Sequence, residues 1–343
     1  MLRLSKSNSG AIRSDKNPRT ALAVFAFSTA ALLGPMSIVS ADTLSQPKTT
    51  ALEDAAASYV RYREDVATIE ATPFDKPSAT REAHKKLAAH DPDMLTAGWV
   101  AYAALVAADT PEFVAALQKE VGGKKKRRRR GKLQGRDAFF AKLSEDPRYP
   151  RKLDGADAAI ERVLIMTARD AHRFNKLGES FKTQAYAMQK TKWGKKRIAS
   201  SSKRIGEASD YASSRPAPAV PTLTSSTNNG VTAPVLASAT ETWDYNWGEE
   251  GSFDRVNEPN AQAVIDRVLN LAARYAVGGI NEKLVSVYAK NSKSQRCLSF
   301  AKLTLTQCIA ATRTPYEEAF CLGEHGLNDI GSCIGWVAVA DAG

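Results

Sequence analysis

The sequence predicts an all-α protein in which a Ser/Pro-rich linker joins a helical bundle to a C-terminal helical hairpin stapled by two disulfide bonds. Three observations lead to this prediction. Helix-start signals recur in both halves of the chain, whereas strand signals are sparse. A long segment at residues 156–190 carries small and apolar residues at alternating spacings of four and three. All four cysteines lie between positions 297 and 333, in sequence of helical character.

The first predicted helices begin at recognisable N-terminal caps. Thr50 opens a capping box that Glu53 completes three residues later. Asp91 is followed by a proline, which suits the first turn of a helix, and residues 109–112 repeat this signal. The helix predicted over residues 94–108 is apolar almost all round, so we expect it to lie buried at the centre of the bundle.

The longest predicted helix covers residues 156–190 and carries one apolar seam. An alternation of four and three residues is typical of a helix packed in an antiparallel bundle or coiled coil. Gly178 lies in this seam and predicts either a close approach of two helices or a weak point. The seam positions are Ile160, Leu164, Thr167, Ala171, Phe174, Gly178, Phe181, Ala185 and Met188.

The composition of the chain changes after the bundle. Residues 198–240 are rich in Ser, Thr, Pro, Ala and Asn and lack the apolar periodicity that would offset the entropy of ordering. We therefore predict a flexible linker there. Helical patterns resume near Asn260. The predicted domains are a bundle over residues 42–197, with a basic loop at 122–136, and a helical domain over residues 241–343.

The cysteine spacing predicts two nested disulfide bonds across one helical hairpin. Cys297 and Cys308 are 11 residues apart, about three helical turns, and therefore share one helix face. Facing residues in an antiparallel hairpin have numbers with a constant sum, which pairs Cys308 with Cys321 and Cys297 with Cys333. Between them, residues 312–315 form a turn whose proline opens the second helix.

A metal site is the competing interpretation of the same region. Cys321, His325, Asp329 and Cys333 recur every four residues along the second helix, and their side chains are zinc or copper ligands. Both thiolates must be free for this purpose, which an oxidising compartment disfavours. We therefore expect disulfide bonds there, with no metal and no cofactor.

The N-terminus predicts export from the cytoplasm. Residues 1–20 carry five cations against one acid, and residues 20–41 are uncharged and apolar, with Ala41 at the −1 position of a cleavage site. This is the pattern of a secretory signal peptide over residues 1–41. A retained inner-membrane anchor is the alternative, although Pro35 interrupts the stretch. The predicted location is periplasmic or extracellular.

The positive charge is concentrated in two stretches. The formal net charge of +11 becomes +7 once residues 1–41 are removed. Residues 124–136 hold nine cations and residues 190–204 hold seven, both without an acid, so the remainder carries −9. Such islands on an acidic body suit local contact with an anionic surface, and export argues against nucleic acid as the partner. The candidate binding residues are Lys124, Lys125, Lys126, Arg127, Arg128, Arg129, Arg130, Lys192, Trp193, Lys195, Lys196 and Arg197.

No catalytic set stands out in the sequence. It contains no HExxH, P-loop, GxSxG or GxGxxG motif. His84 and His90 are six residues apart on polar helical sequence, so we expect them on the solvated surface. Residues 241–253 hold four aromatic residues among acids. Their rings could stack on sugar rings, but packing across a helix bundle is the commoner role of such a segment.

Four segments resemble an uncharacterised family of exported helical proteins from alphaproteobacteria. They are WVAYAALVAADTPEFV at residues 99–114, GRDAF at 135–139, QAYAMQ at 184–189 and YEEAFCLGEHGLNDIGSC at 316–333. The resemblance touches both halves of the chain beyond the predicted signal peptide and implies a bacterial envelope context. It implies no activity and no catalytic residue. It also implies that residues 122–134 are an elaboration of a loop.

Together these patterns predict an exported, non-enzymatic envelope protein with a structural or binding role. Its basic loops would either contact anionic lipids or acidic polymers or be solvated surface segments that bind nothing. Two alternatives remain open. One is a hydrolase of the cell wall or of a secreted substrate, whose acidic residues the sequence does not single out. The other is a metal or redox module on the last helix.

Overall fold

The computed structural model describes residues 50–122, 135–215, 221–222, 235–236 and 259–338, and most of these residues are helical. The first half contains α1 (Ala51–Glu70), α2 (Pro77–Ala88), α3 (Pro92–Ala108), α4 (Pro111–Gly122), α5 (Arg136–Glu145), a 3-10 helix (Tyr149–Lys152) and α6 (Ala156–Met188). The second half contains α7 (Ser201–Ser214), β1 (Pro221–Thr222), β2 (Val235–Leu236), α8 (Pro259–Ala276), α9 (Glu282–Tyr288), α10 (Ser292–Ala311), α11 (Pro315–Cys321), a π-helical segment (Leu322–Asn328) and α12 (Asp329–Gly335). The strands β1 and β2 pair antiparallel over two residues each. The predicted all-α class is confirmed.

Local caps start the first helices where the sequence predicts. In α1 the Thr50 N–H donates to Glu53 Oε2 at 2.7 Å, and Thr50 Oγ1 accepts from the Glu53 N–H at 3.4 Å. In α3 the Asp91 carboxylate accepts from the N–H groups of Asp93 and Met94, both at 3.0 Å. Each cap satisfies donors that the start of a helix leaves unpaired, which is worth about 1 kcal/mol.

The helix α3 lies at the centre of the fold. It contacts α1, α6, α8 and α10, and Trp99, Tyr102 and Leu105 on it are fully buried. Burial on all its sides follows from its apolar circumference. Within the described residues, no single helix is long and apolar enough to cross a membrane, although α3 and α4 together meet that criterion as a pair bent by 80°.

The predicted seam of α6 is confirmed, because all nine of its positions are buried. In the middle of the seam, a Cβ atom added at Gly178 would lie 2.6 Å from the carbonyl oxygen of Gly323 in the π-helical segment. Gly178 therefore permits a close approach of α6 to that segment, which is one of the two interpretations that the sequence left open. One turn earlier, Phe174 packs edge-on against Tyr62 of α1, with the ring centroids 5.1 Å apart.

Two disulfide bonds staple α10 to the arm formed by α11, the π-helical segment and α12. Cys297 pairs with Cys333 and Cys308 with Cys321, with Cα–Cα distances of 5.4 and 5.7 Å. Both distances fall in the usual range for a disulfide bond. The pairing is the nested one that the constant sum predicts, and no cysteine is left free.

The prediction of a flexible linker over residues 198–240 is wrong for the first part of this range. Ser201–Ser214 forms α7, which contacts α2 and α10. Arg204 and Ala208, one turn apart, are its buried residues, so tertiary contacts stabilise a helix that its Ser-rich composition does not favour. Apart from β1 and β2, the rest of the predicted linker beyond residue 215 lies outside the described residues. The described helices on both sides of it belong to one compact unit, Pro47–Gly343.

Candidate functional site

The loop between α6 and α7 presents a cluster of cations to solvent. We call residues 190–197 the basic loop, which is distinct from the loop predicted at residues 122–136. Its five cationic side chains are exposed, and within the described part of the chain none of them forms an ion pair. These side chains are Lys190, Lys192, Lys195, Lys196 and Arg197. The structure therefore places the four cations predicted in this stretch, and Lys190 with them, on the exposed surface.

Backbone hydrogen bonds hold the basic loop against the turn of the disulfide hairpin. The Ile198 N–H donates to the Arg313 carbonyl oxygen at 3.0 Å, and the Tyr316 N–H donates to the Gly194 carbonyl oxygen at 3.5 Å. Inside the loop, Thr191 Oγ1 accepts from the Gly194 N–H at 2.9 Å. The cations thus stand on a loop that is anchored at several points.

The aromatic residue of the basic loop is partly a core residue. Trp193 is half-buried and packs against the hydrophobic core, so its indole ring serves to anchor the loop as well as to border its surface. The other predicted cluster, residues 124–130, lies outside the described residues. Its seven cations stay a prediction.

An apolar groove of about 410 Å³ lies beside the basic loop. It is formed where α6 meets α10 and α11, and both cysteines of the inner disulfide bond, Cys308 and Cys321, line it. Tyr186 on its wall is 59% exposed, and its ring lies edge-on to Phe320 with the centroids 6.1 Å apart. The remaining lining residues are Ala185, Gln189, Ala311, Thr312, Tyr316 and Glu317.

The groove and the basic loop share a border. Gln189 lines the groove and directly precedes Lys190, and Tyr316 lines the groove while its N–H donates to Gly194 of the loop. The one acid among the lining residues, Glu317, accepts from the Arg313 N–H at 2.6 Å and caps α11. Burial raises the pKa of Glu317, but hydrogen bonds from the backbone N–H groups of Arg313 and Thr314 and from the side chains of Thr314 and Tyr316 outweigh this and hold the pKa below its ordinary value.

One cation of the predicted second basic stretch is buried rather than solvated. Arg204 is 1% exposed, and its guanidinium donates to Glu318 Oε1 at 2.8 Å. It also donates to the carbonyl oxygens of Ala199, Ile309 and Thr312 at 3.0, 3.3 and 3.1 Å. Arg204 therefore ties α7 to the disulfide hairpin and does not add to the exposed charge.

His84 and His90 lie in the interior, so the prediction of a solvated surface position is wrong. His84 Nδ1 lies 3.4 Å from Glu318 Oε1, with both side chains almost fully buried. His90 Nε2 lies 2.7 Å from Asp65 Oδ2, and its ring packs edge-on against Tyr62. Burial lowers the pKa of His90 below the ordinary value of histidine, although the hydrogen bond to Asp65 opposes this shift. Both histidines stabilise contacts between helices.

The buried carboxylates of the described residues are engaged by arginine side chains. A hydrolase of the kind left open above would need such groups to face a substrate. Here each acid is instead part of an ion pair that joins two helices or the ends of helices. The pairs are Asp65 with Arg215, Asp170 with Arg63 and Glu318 with Arg204, at 2.8, 3.1 and 2.8 Å.

The predicted alternative of a metal site on the last helix conflicts with the disulfide bonds. Cys321 and Cys333 are both oxidised, and His325 Nδ1 lies 2.9 Å from Asp329 Oδ2. Among the described residues, no three His, Cys, Asp or Glu side chains are grouped so that they could hold a metal ion. Cys321 and Cys333 are instead bonded to Cys308 and Cys297, and His325 is hydrogen-bonded to Asp329.

No family model, curated protein or solved structure matches the chain. Its candidate site is therefore defined by its own chemistry. Sequence reasoning found the cations of the basic loop but missed the groove, whose walls come from three separated helices. In the sequence, Tyr186 directly follows the seam residue Ala185, and Phe320 directly precedes Cys321. These positions hint at two rings near the hairpin, but helix phase alone does not show that the rings meet.

Proposed function

We propose that this protein is an exported envelope protein with a binding role, which attaches to an anionic surface through the basic loop. The observation that carries the proposal is the set of five exposed cations at residues 190–197, none of which has an ion-pair partner in the described structure. Unpaired cations on one small surface attract anionic lipid head groups or acidic polymers. Export through a signal peptide over residues 1–41 is part of the same proposal.

The expected strength follows from the charge. Near an anionic bilayer, each Lys or Arg contributes about 1 kcal/mol. Five such cations contribute up to about 5 kcal/mol, which is a factor of up to about five thousand in affinity. Because these side chains are exposed, salt screens the attraction over a Debye length of about 8 Å at physiological ionic strength.

The disulfide bonds support an oxidising environment for the protein. All four cysteines are paired, and structural disulfide bonds persist in exported proteins but rarely in the cytosol. The proposed destination is the periplasm or the extracellular space of a bacterium, in line with the resemblance to exported alphaproteobacterial proteins. A retained N-terminal anchor is the alternative, and it would keep the protein at the inner membrane.

A binding role fits the chemistry of the described residues better than catalysis does. The three buried carboxylates are engaged in ion pairs with arginine, and the two buried histidines contact two of these carboxylates. These groups stabilise the packing of helices. The exposed chemistry is the charge of the basic loop and the aromatic rings of the adjacent groove.

The test compares two variants that lose the same charge. In the loop variant, Lys192, Lys195, Lys196 and Arg197 are replaced by glutamine. In the control variant, four exposed cations on other elements are replaced by glutamine, namely Lys176, Lys283, Lys290 and Arg296. Binding of the purified exported protein to phosphatidylglycerol vesicles, phosphatidylcholine vesicles and poly-glutamate is measured at low and at high salt.

We expect the wild-type protein to bind the anionic probes at low salt and to be released at high salt. The loop variant should lose most of this affinity, and the control variant should retain it. Equal affinities of the two variants would refute the role of the basic loop. A further variant with residues 124–130 replaced by alanine shows whether the second cluster adds to the same contact.

A further inference from the structure

We infer that the apolar groove beside the basic loop binds the hydrocarbon chain of an anionic amphiphile, so that the protein binds a lipid rather than a purely ionic polymer. This inference rests on the proposed function, because the basic loop supplies the contact with the anionic head group. It goes further by assigning the groove to the same ligand and by naming the class of ligand.

The surface of the groove suits a hydrocarbon chain. Its lining is mainly alanine, aromatic rings and the disulfide bond between Cys308 and Cys321. Tyr186 is 59% exposed and stands at an angle of 70° to Phe320, so both rings border the open groove. A volume of about 410 Å³ lies within the range of about 300–1,000 Å³ that is typical of small-molecule sites.

The charge around the groove is asymmetric in a way that fits an anionic head group. At one border, Gln189 leads directly into the five cations of the basic loop. The acid Glu317 is engaged by backbone N–H groups at the start of α11. A ligand whose hydrocarbon chain lies in the groove can therefore place an anionic head group over the basic loop, next to its cations.

A lipid chain fits this groove better than an amphipathic helix does. A helix-binding groove accepts anchor side chains at i, i+3, i+4 and i+7, spread over two helical turns. The groove between α6 and the hairpin is small and is bounded by Gln189 and Thr312. Its volume of about 410 Å³ offers room for one apolar chain.

The test uses a substitution that places a charge in the groove. In Tyr186→Glu the exposed ring is replaced by a carboxylate, and in the control Ala187→Glu the same charge is added at the next position, which is exposed but does not line the groove. The probes are lysophosphatidylglycerol below its critical micelle concentration, glycerol phosphate, lysophosphatidylcholine and poly-glutamate. Because both positions are exposed, both variants should fold.

Two quantities are measured for each protein and probe. The first is the dissociation constant by calorimetry. The second is the rate at which a water-soluble phosphine reduces the bond between Cys308 and Cys321, followed by alkylation and mass spectrometry. The bond between Cys297 and Cys333 does not line the groove and serves as an internal reference.

We expect lysophosphatidylglycerol to bind and to slow the reduction of the inner disulfide bond without affecting the outer one. Glycerol phosphate should give no such protection. Tyr186→Glu should lower the affinity roughly tenfold or more, because an unpaired carboxylate in an apolar site is costly, and Ala187→Glu should have a much smaller effect.

The inference is overturned if the two variants bind lysophosphatidylglycerol equally, or if glycerol phosphate or poly-glutamate protects the disulfide bond as well as the lipid does. Those results would leave the basic loop as a purely ionic contact. Failure of the proposed function is distinct, because it would appear as unchanged vesicle binding when Lys192, Lys195, Lys196 and Arg197 are neutralised.

Discussion

Replacement of Arg204 by methionine tests whether the buried ion pair holds the disulfide hairpin to the rest of the fold. Arg204 is 1% exposed, and its partner Glu318 is fully buried. The guanidinium donates to Glu318 Oε1 at 2.8 Å, to Thr312 Oγ1 at 2.9 Å and to three carbonyl oxygens. Methionine fills a similar volume but donates none of these bonds.

The expected cost is large because Glu318 would stay buried without its main partner. After Arg204→Met, the Glu318 carboxylate retains the hydrogen bond from Thr80 Oγ1 at 3.1 Å and the contact with His84 Nδ1 at 3.4 Å. Loss of one partner of a buried ion pair costs about 3–5 kcal/mol. The free energy of unfolding of a protein is typically about 5–15 kcal/mol, so this single change should remove a substantial part of it.

The assay is urea unfolding of the oxidised protein, with wild type, Arg204→Met, Glu318→Leu and the double variant compared. Because removal of a whole buried pair is often neutral, the double variant should be more stable than either single variant. A cost of less than about 1 kcal/mol for Arg204→Met, a value usual for exposed pairs, would refute this reasoning. Additive losses in the double variant would also refute it, since residues in contact are expected to couple.

The same pair predicts how stability depends on pH. Burial raises the pKa of Glu318, but the interactions with His84 and Arg204 outweigh this and hold the pKa below the ordinary value of 4.5. A lowered carboxyl pKa stabilises the fold fully above pH 4.5 and loses this contribution as the pH falls through the lower folded-state pKa. In Glu318→Gln this part of the acid sensitivity should disappear from urea midpoints measured between pH 3 and pH 6.

Two further predictions concern the hairpin and its contact with α6. Substitution of Cys308 and Cys321 by serine should lower the free energy of unfolding by about 3 kcal/mol, the usual value for a loop of this length, and an unchanged urea midpoint would contradict a stabilising role for the inner bridge. Gly178→Ala should cost about 1–3 kcal/mol from overpacking, since the new Cβ would lie 2.6 Å from the Gly323 carbonyl oxygen. The control Gly206→Ala meets nothing within 4 Å and should gain up to about 1 kcal/mol, so equal effects of the two substitutions would refute the close approach.

Features encoded by nearby residues could be predicted from the sequence. The capping box of Thr50 and Glu53 involves residues three positions apart, and the seam of α6 follows from helical periodicity alone. The nested pairing of the cysteines needed only the geometry of one hairpin. In each case the interacting residues are close in sequence or related by a fixed repeat.

Features that depend on distant segments could not be predicted in this way. Glu318 brings together His84 from α2 and Arg204 from α7, and each of these residues lies in polar sequence that is typical of a surface. The helix α7 was missed for the same reason, because its stability comes from burial of Arg204 and Ala208 against other helices. For the candidate site, the charges were visible in the sequence but the groove was not.

The π-helical segment, Leu322–Asn328, sets the rotational phase of the two bridges. On α10, Cys297 and Cys308 are 11 residues apart, an advance of about 1,100°, which is only about 20° past three full turns. On the opposite arm, Cys321 and Cys333 are 12 residues apart, and a regular α-helix would turn the second one about 120° out of line. The wider turn of a π-helix absorbs about one residue. The π-helical segment therefore compensates for the extra residue between these two cysteines. Cys321 and Cys333 both face α10, where they bond to Cys308 and Cys297.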